Sequence, residues 1–338
     1  MSSSRKDGKT LNKVINVSTF SGGKDSTAMR LLALEQGIEV MTVFCDTGNE
    51  HPMTYEYVDY IESKLGPIRR VKADFTDRIL GKREYVEKHW ARKLTTDVPE
   101  HLDDDGNTIL FQKGLSDDEA AEIVGNALSI LYPTGNPYLD LCLWKGRFPS
   151  RKAQFCTVFL KVIPTFEQVY FPLMEGGHHV ISWQGVRAQE SRERSLLPMN
   201  EINPDGYEIY RPLLNWKVED VFEIHRKHGI EPNPLYKLGM GRVGCMPCIN
   251  CNKPELYEIQ RRFPEEIERI AKWEKFVALA SKRQMSSFFK HDKVAGNGIL
   301  EWVEWSKTTR GGKNYDLFKY LGSGEDDISC SSQYGLCE

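Results

Sequence analysis

Short apolar runs alternate with amphipathic stretches in the first quarter of the chain. Val14-Ile15-Asn16-Val17-Ser18-Thr19-Phe20 and Val40-Met41-Thr42-Val43-Phe44-Cys45 have strand length and composition. Between them Thr27 to Gln36 carries helical apolar spacing and stops at Gly37, a residue suited to a helix C-terminus. Strand, helix and strand in this order predict a parallel pair joined by a right-handed crossover. Tyr55 to Leu65 predicts a second helix, broken by Gly66-Pro67, and Ile68 to Phe75 a third strand. The alternation then fails between Asp77 and Ser150. That stretch holds a basic helix over Gly81 to Lys93, an acidic loop at Asp103-Asp104-Asp105-Gly106, and a helix from Ser116 with Glu119 completing a capping box. It reads as a helical insertion, its charge runs as solvated faces. Beyond it, His178 to Trp183 predicts a strand and Lys217 to His228 a helix closed by Gly229. Pro254 to Lys282 is helical with a break at Phe263-Pro264, because a residue before proline avoids helical backbone.

The turn after the first strand holds the chemistry. In Ser21-Gly22-Gly23-Lys24-Asp25-Ser26, adjacent glycines let N–H groups converge on an anion, and the helix N-terminus behind them adds partial positive charge. Lys24 supplies a full charge, Ser21 and Ser26 hydroxyls, and Asp25 a carboxylate for nucleotide-borne magnesium. The Walker A spacing is absent. Asp46, Thr47 and Gly48 follow the second strand at the same expected sheet edge and read equally as nucleotide contacts or as a cap of the next helix.

The composition suits a soluble enzyme: 338 residues, 40% hydrophobic, with a net charge of -3 that gives no global attraction to nucleic acid. No apolar stretch spans a bilayer and the polar start is no secretory signal, so a cytoplasmic protein is expected. In a reducing compartment its eight cysteines point to metal ligands or redox thiols. Cys245, Cys248 and Cys251 stand at two-residue separations, with Cys156 as a fourth candidate. That spacing accepts zinc or an iron–sulfur cluster alike. Arg187, Arg192 and Arg194 follow the predicted strand at His178 to Trp183, where guanidinium forks can meet phosphate or sulfate, or pair with Glu190 and Glu193.

The six-residue turn resembles the SGGKDS signature of the PP-loop ATP pyrophosphatases. Asp46-Thr47-Gly48 with Glu50, Pro52, Thr54 and Tyr55 is similar to the DTGxxxPxTY stretch of the APS/PAPS (adenylyl-sulfate and phosphoadenylyl-sulfate) reductases. Gly185-Val186-Arg187 with Ser191 and Arg194 resembles their GxRxxxSxxR loop. Arg211 to Phe222, Asn233-Pro234-Leu235-Tyr236 and Gly244-Cys245-Met246-Pro247-Cys248 resemble their PLxxWxxxDV, NPLY and GCxPC elements. Cys156-Thr157-Val158-Phe159-Leu160-Lys161 and Arg187-Ala188-Gln189-Glu190-Ser191 are similar to elements of the sulfur-activating protein of Dnd-type DNA phosphorothioation. The resemblance implies an α/β, Rossmann-like (adenine nucleotide alpha hydrolase-like) parallel sheet flanked by helices, with a helical insertion and a Cys-rich C-terminal region. The expected parts are a PP-loop nucleotide-binding half over 10–76, the insertion over 77–150, the second half with anion loop and cluster cysteines over 151–253, and C-terminal helices and tail over 254–338.

The implied cofactors are ATP with magnesium and a 4Fe-4S cluster on Cys156, Cys245, Cys248 and Cys251, with zinc as the alternative. The implied contacts to a substrate phosphate or sulfonate are Arg187, Ser191 and Arg194. Two function classes stay open inside the family, with a third outside enzymes. In the preferred one, ATP binds at Ser21 to Ser26, a substrate oxygen attacks its α phosphorus, and Lys24 and Asp25 serve the departing pyrophosphate, followed by sulfur transfer from a donor such as a cysteine desulfurase. The alternative is a thioredoxin-dependent reductase releasing sulfite, with Cys337 near the terminus as the attacking thiol, although the reductases' ECGLH motif is absent around it. The third is a cluster-bearing, nucleotide-sensing subunit without catalysis. A nucleic-acid substrate stays open, a homo-oligomer is expected, and Cys45 and Cys142 read as buried small residues.

Overall fold

The computed structural model describes residues 13–102, 106, 108–289 and 298–308. Within them the chain divides into two compact units, one formed from 13–73 and 157–246, the other from 74–156 and 247–308.

The first unit is built on a six-stranded sheet. Strands β1 (Val14–Phe20), β2 (Val40–Asp46) and β3 (Ile68–Lys72) come first in the chain. The sheet's next strand in the chain is His179–Trp183, and a hairpin of Asn200–Ile202 and Glu208–Tyr210 completes it. In the second unit, β4 (His101–Leu102) and β5 (Thr108–Ile109) form a separate small antiparallel pair, so the remaining sheet strands are β6, β7 and β8. The order is β3-β2-β1-β6-β8-β7. All neighbours are parallel except β7 and β8. The apolar runs read in the sequence therefore form the central strands, buried on both faces as a parallel sheet requires. The β7–β8 hairpin carried no such run and extends the sheet through backbone pairing.

Helices α1 (Lys24–Glu35) and α2 (Pro52–Leu65) join the first three strands. With the helix Val218–Lys227 they enclose a core of Met29, Leu31, Phe44, Ile61, Trp183, Leu213 and Ile224 on one face. On the other face Val17, Val43, Val71, Val169, Val180 and Ile209 pack together. Val169 belongs to a helical run whose Val158–Val162 and Phe166–Tyr170 turns are π-helical, wider than the α-helical Ile163–Thr165 between them. The strand expected to reach Phe75 stops at Lys72, and Asp74 Oδ1 accepts from the Thr76 N–H at 2.8 Å at the start of the next helix.

The second unit is helical: α3 (Thr76–Thr95), α4 (Asp117–Ile130), α5 (Pro137–Lys145) and the helices Lys253–Arg262, Pro264–Leu279 and Ile299–Lys307. The insertion thus packs with the C-terminal helices as one body. Ser116 caps α4 through a reciprocal box with Glu119. The break at Phe263-Pro264 separates two helices, as the proline requires. No helix among the described residues is long and apolar enough to cross a membrane.

Candidate functional site: the β1–α1 loop and its cleft

The strand order reverses direction between β1 and β6, and the crevice at such a switch point is where open parallel sheets bind ligands. A narrow cleft lies there, bordered by Thr19, Ser21 and Ser26 from the β1–α1 segment, Gly185 after β6, and Cys45, Glu50, Lys161 and Gly244.

The loop is wired from within. Ser26 Oγ donates to the Gly23 carbonyl at 3.0 Å, accepts from the Ser21 N–H at 3.3 Å and lies 3.2 Å from Ser21 Oγ. Gly22 has φ +78, and a Cβ there would lie 2.8 Å from Thr54 Cγ2, so both backbone and space demand glycine. Lys24 opens α1, its ammonium 2.9 Å from Asp25 Oδ2 and 5.4 Å from the Tyr236 ring centre. Three residues far along the chain clamp the same turn. Lys24 N–H donates to Tyr236 Oη at 3.0 Å, Asn233 Nδ2 donates to the Gly22 carbonyl at 3.2 Å, and His225 Nε2 lies 2.9 Å from the Lys24 carbonyl. Burial lowers the His225 pKa, favouring the neutral ring.

Asp25 is fully buried, with its oxygens at Lys24 Nζ and Arg187 Nε. It orients two cations and does not fit a solvent-facing magnesium ligand. Arg187 also reaches Gln189 Oε1 at 3.0 Å, and Arg194, equally buried, pairs with Glu190. Ser191 Oγ accepts from the Arg194 N–H at 3.2 Å. The three residues expected to face a substrate anion are therefore set in internal contacts, and Arg187 ties the β6 end to α1.

At the end of β2, Asp46 Oδ1 accepts from Gly48 N–H at 3.0 Å and from Tyr55 Oη–H at 2.7 Å. Thr47 donates to Glu50 through its hydroxyl at 2.6 Å and its N–H at 3.1 Å. Glu50 is buried, which raises its pKa despite the Thr47 bonds and nearby Lys161. Cys245 joins this corner, its Sγ 3.4 Å from Thr47 Oγ1 and 3.9 Å from Glu50 Oε1. Burial pushes the Cys45 thiol up to about 11, so it is protonated at neutral pH. Glu50, Lys161 and Tyr236 carried no role in the sequence reading beyond membership of motifs, and His225 none beyond its place in a predicted helix. The motif spacings were the available signal, since they place these residues in segments that return to one sheet edge.

The cysteine run is divided between the two units: Cys245 belongs to the first, and Cys156, Cys248 and Cys251 to the second. The boundary between the units falls between Met246 and Pro247, inside the cysteine run. In the second unit Cys251 is buried, its thiol pKa held well above the usual by burial and then by Glu255 and Cys248, and its Sγ lies 3.4 Å from the Asn252 carbonyl. Among the described residues no three His, Cys, Asp or Glu side chains gather as a metal site. Cys330 and Cys337 lie outside the described residues.

The model of the phosphoadenosine phosphosulfate reductase domain matches residues 15–108 and 141–251, which include every element of this cleft. The chain belongs to that family. A 37.8 kDa protein of Escherichia phage 186, named as uncharacterised, is 49% identical across 96% of this chain and 97% of its own length. An uncharacterised nin-region protein of Escherichia phage lambda is 30% identical over 70% of this chain and 66% of its own. The phosphoadenosine 5'-phosphosulfate reductase of Photorhabdus laumondii is 34% identical over 24% of this chain, and the match spans 34% of that reductase. A solved phosphoadenylyl-sulfate reductase from Candida auris in complex with phosphate aligns with 71% of this family member and 84% of its own chain, at 18% identity and a TM-score of 0.39.

Proposed function

We propose that this member of the reductase domain family is an ATP-using enzyme that adenylylates a substrate oxygen in preparation for sulfur transfer. The observation that carries the reading is Lys24 at the first residue of α1, beside Ser21 and Ser26 at the switch-point cleft. A triphosphate laid on this turn meets the helix N-terminus, two hydroxyls and one ammonium. The substrate oxygen attacks the α phosphorus, the bond from that phosphorus to the bridging oxygen breaks, and pyrophosphate leaves with its charge offset by Lys24. Asp25 and Tyr236 hold Lys24 in place, and His225 fixes its backbone. The adenylylated oxygen is then a leaving group: the terminal sulfur of an external persulfide attacks the carbon that bears it, the carbon–oxygen bond breaks and AMP departs, and a second thiol of the donor attacks the resulting disulfide to free the thiolated product as the donor becomes a disulfide.

The second reading is a reductase cleaving sulfite from a phosphosulfate, favoured by the named reductases that align with part of the chain. The deciding experiment incubates the full chain with magnesium-ATP and separately with PAPS and thioredoxin. Lys24→Ala is expected to lower pyrophosphate release by about a hundredfold or more, the scale of removing one charge-stabilising donor. Sulfite release from PAPS without any pyrophosphate from ATP overturns the proposal.

A further inference from the structure

The helical unit contains a second, open cavity, of about 470 Å³, lined by Lys82, Tyr85, Trp90, Trp144, Lys145 and Lys282, with Gly146, Ala280 and Ser281 between them. Three lysines and three aromatic rings line it, and no carboxylate does. It is assembled from α3, α5 and the segment after the helix Pro264–Leu279.

The cations are held by carbonyls and rings. Lys82 Nζ donates to the carbonyls of Leu143 at 2.7 Å and Ala280 at 2.8 Å, which anchors the floor. Gly146 ends α5 with φ +65, and a Cβ there would lie 3.2 Å from both Lys82 Nζ and the Ala280 oxygen. Lys82 and Lys282 stand 5.9 and 5.6 Å from the Trp90 ring centre, and Lys145 3.9 Å from that of Trp144. Arg78 lies over Trp144 as well, at 4.6 Å. Burial alone pulls the Lys82 pKa down to about 8. Lys145 is lowered by burial and then by the like charges of Arg147 and Arg78. An incoming polyanion would relieve that repulsion.

The ligand class follows from charge together with rings. Rings interleaved with lysines suit a strand whose phosphates meet ammonium groups while its bases meet aromatic faces. Tyr85 is 41% exposed on α3, which continues with the exposed His89, Arg92 and Lys93, while the exposed Lys88 pairs with Glu84 and Glu87 is exposed beside it. A small phosphate compound would need no such extension. We propose that this cavity and the adjoining face of α3 bind single-stranded nucleic acid. The inference does not depend on the ATP reading, since it concerns other residues and another measurement.

Binding of a fluorescein-labelled twenty-nucleotide dT strand to the full chain is measured by anisotropy over a salt series. The double variant Lys145→Glu, Lys282→Glu is expected to weaken binding at least about tenfold and to flatten the slope of log affinity against log salt by about 1.4, two phosphate contacts' worth. Tyr85→Ala, at an exposed position that leaves the core intact, is expected to cost about tenfold through lost stacking. The exposed Lys275→Glu on another helix, a control for net charge, should change little. Absence of binding by the native chain overturns the proposal. So does equal binding by Tyr85→Ala and the native chain, or complete competition by inorganic polyphosphate at matched charge with no loss from Tyr85→Ala.

Discussion

The framework beside the sheet unit's cleft and the cavity of the helical unit treat positive charge in opposite ways. In the first, buried Arg187, Arg194 and Arg211 pair with Asp25, Glu190 and Glu201. In the second, Lys82 is held by carbonyls and rings, and the charges that move Lys145 are themselves cations. Paired charges fix a framework, because a buried ion stripped of its partner is costly. Cations packed on rings and carbonyls keep their field for a ligand. The arginines that a motif reading assigns to substrate pair here with Asp25 and Glu190, whereas a helix read as a solvated face lines a cavity.

The sharpest way to break this contrast is Arg187→Ala. If Arg187 is framework, its loss leaves Asp25 short of a buried partner and costs about 3–5 kcal/mol, read from urea unfolding. A variant of native stability that merely loses substrate affinity would return Arg187 to the anion-contact role.

A second test probes the helical unit through Glu274. Its carboxylate accepts from the N–H groups of Phe288 at 2.7 Å and Ile299 at 3.0 Å, and burial raises its pKa to about 7. A raised carboxyl pKa means the folded state binds more protons than the unfolded one between pH 4.5 and 7. This group's contribution to stability therefore falls as pH rises through that window, by up to about 3 kcal/mol. Glu274→Gln should remove the slope, and a melting series in which the slope persists would assign it elsewhere. The smallest expected effect is Ser116→Ala at the α4 cap, about 1 kcal/mol by thermal melting. A loss several times larger would mean that the cap also supports the packing of α3 against α4.

Much of the first unit was legible in the chain. The runs at Val14–Phe20 and Val40–Asp46, the glycine turn and α1 were readable because period and turn chemistry are local properties. The α4 box was readable for the same reason: Ser116 and Glu119 are three residues apart. The β7–β8 hairpin was not, since its three-residue strands are too short to show a period. The cysteine run shows the limit of spacing, because two-residue intervals admit a metal cage without specifying the metal or the fourth ligand.

By itself the sequence determined the parallel α/β class, the anion-suited turn and the family, because these rest on local pattern and on motifs. Tertiary structure decided which charges are spent on one another. Asp25 meets Arg187 across 162 positions, and Lys82 meets Ala280 across 198. Such pairings depend on how distant segments pack, and no local periodicity encodes them. Packing therefore paired Arg187 with Asp25 and gave the basic helix α3 a cavity to line.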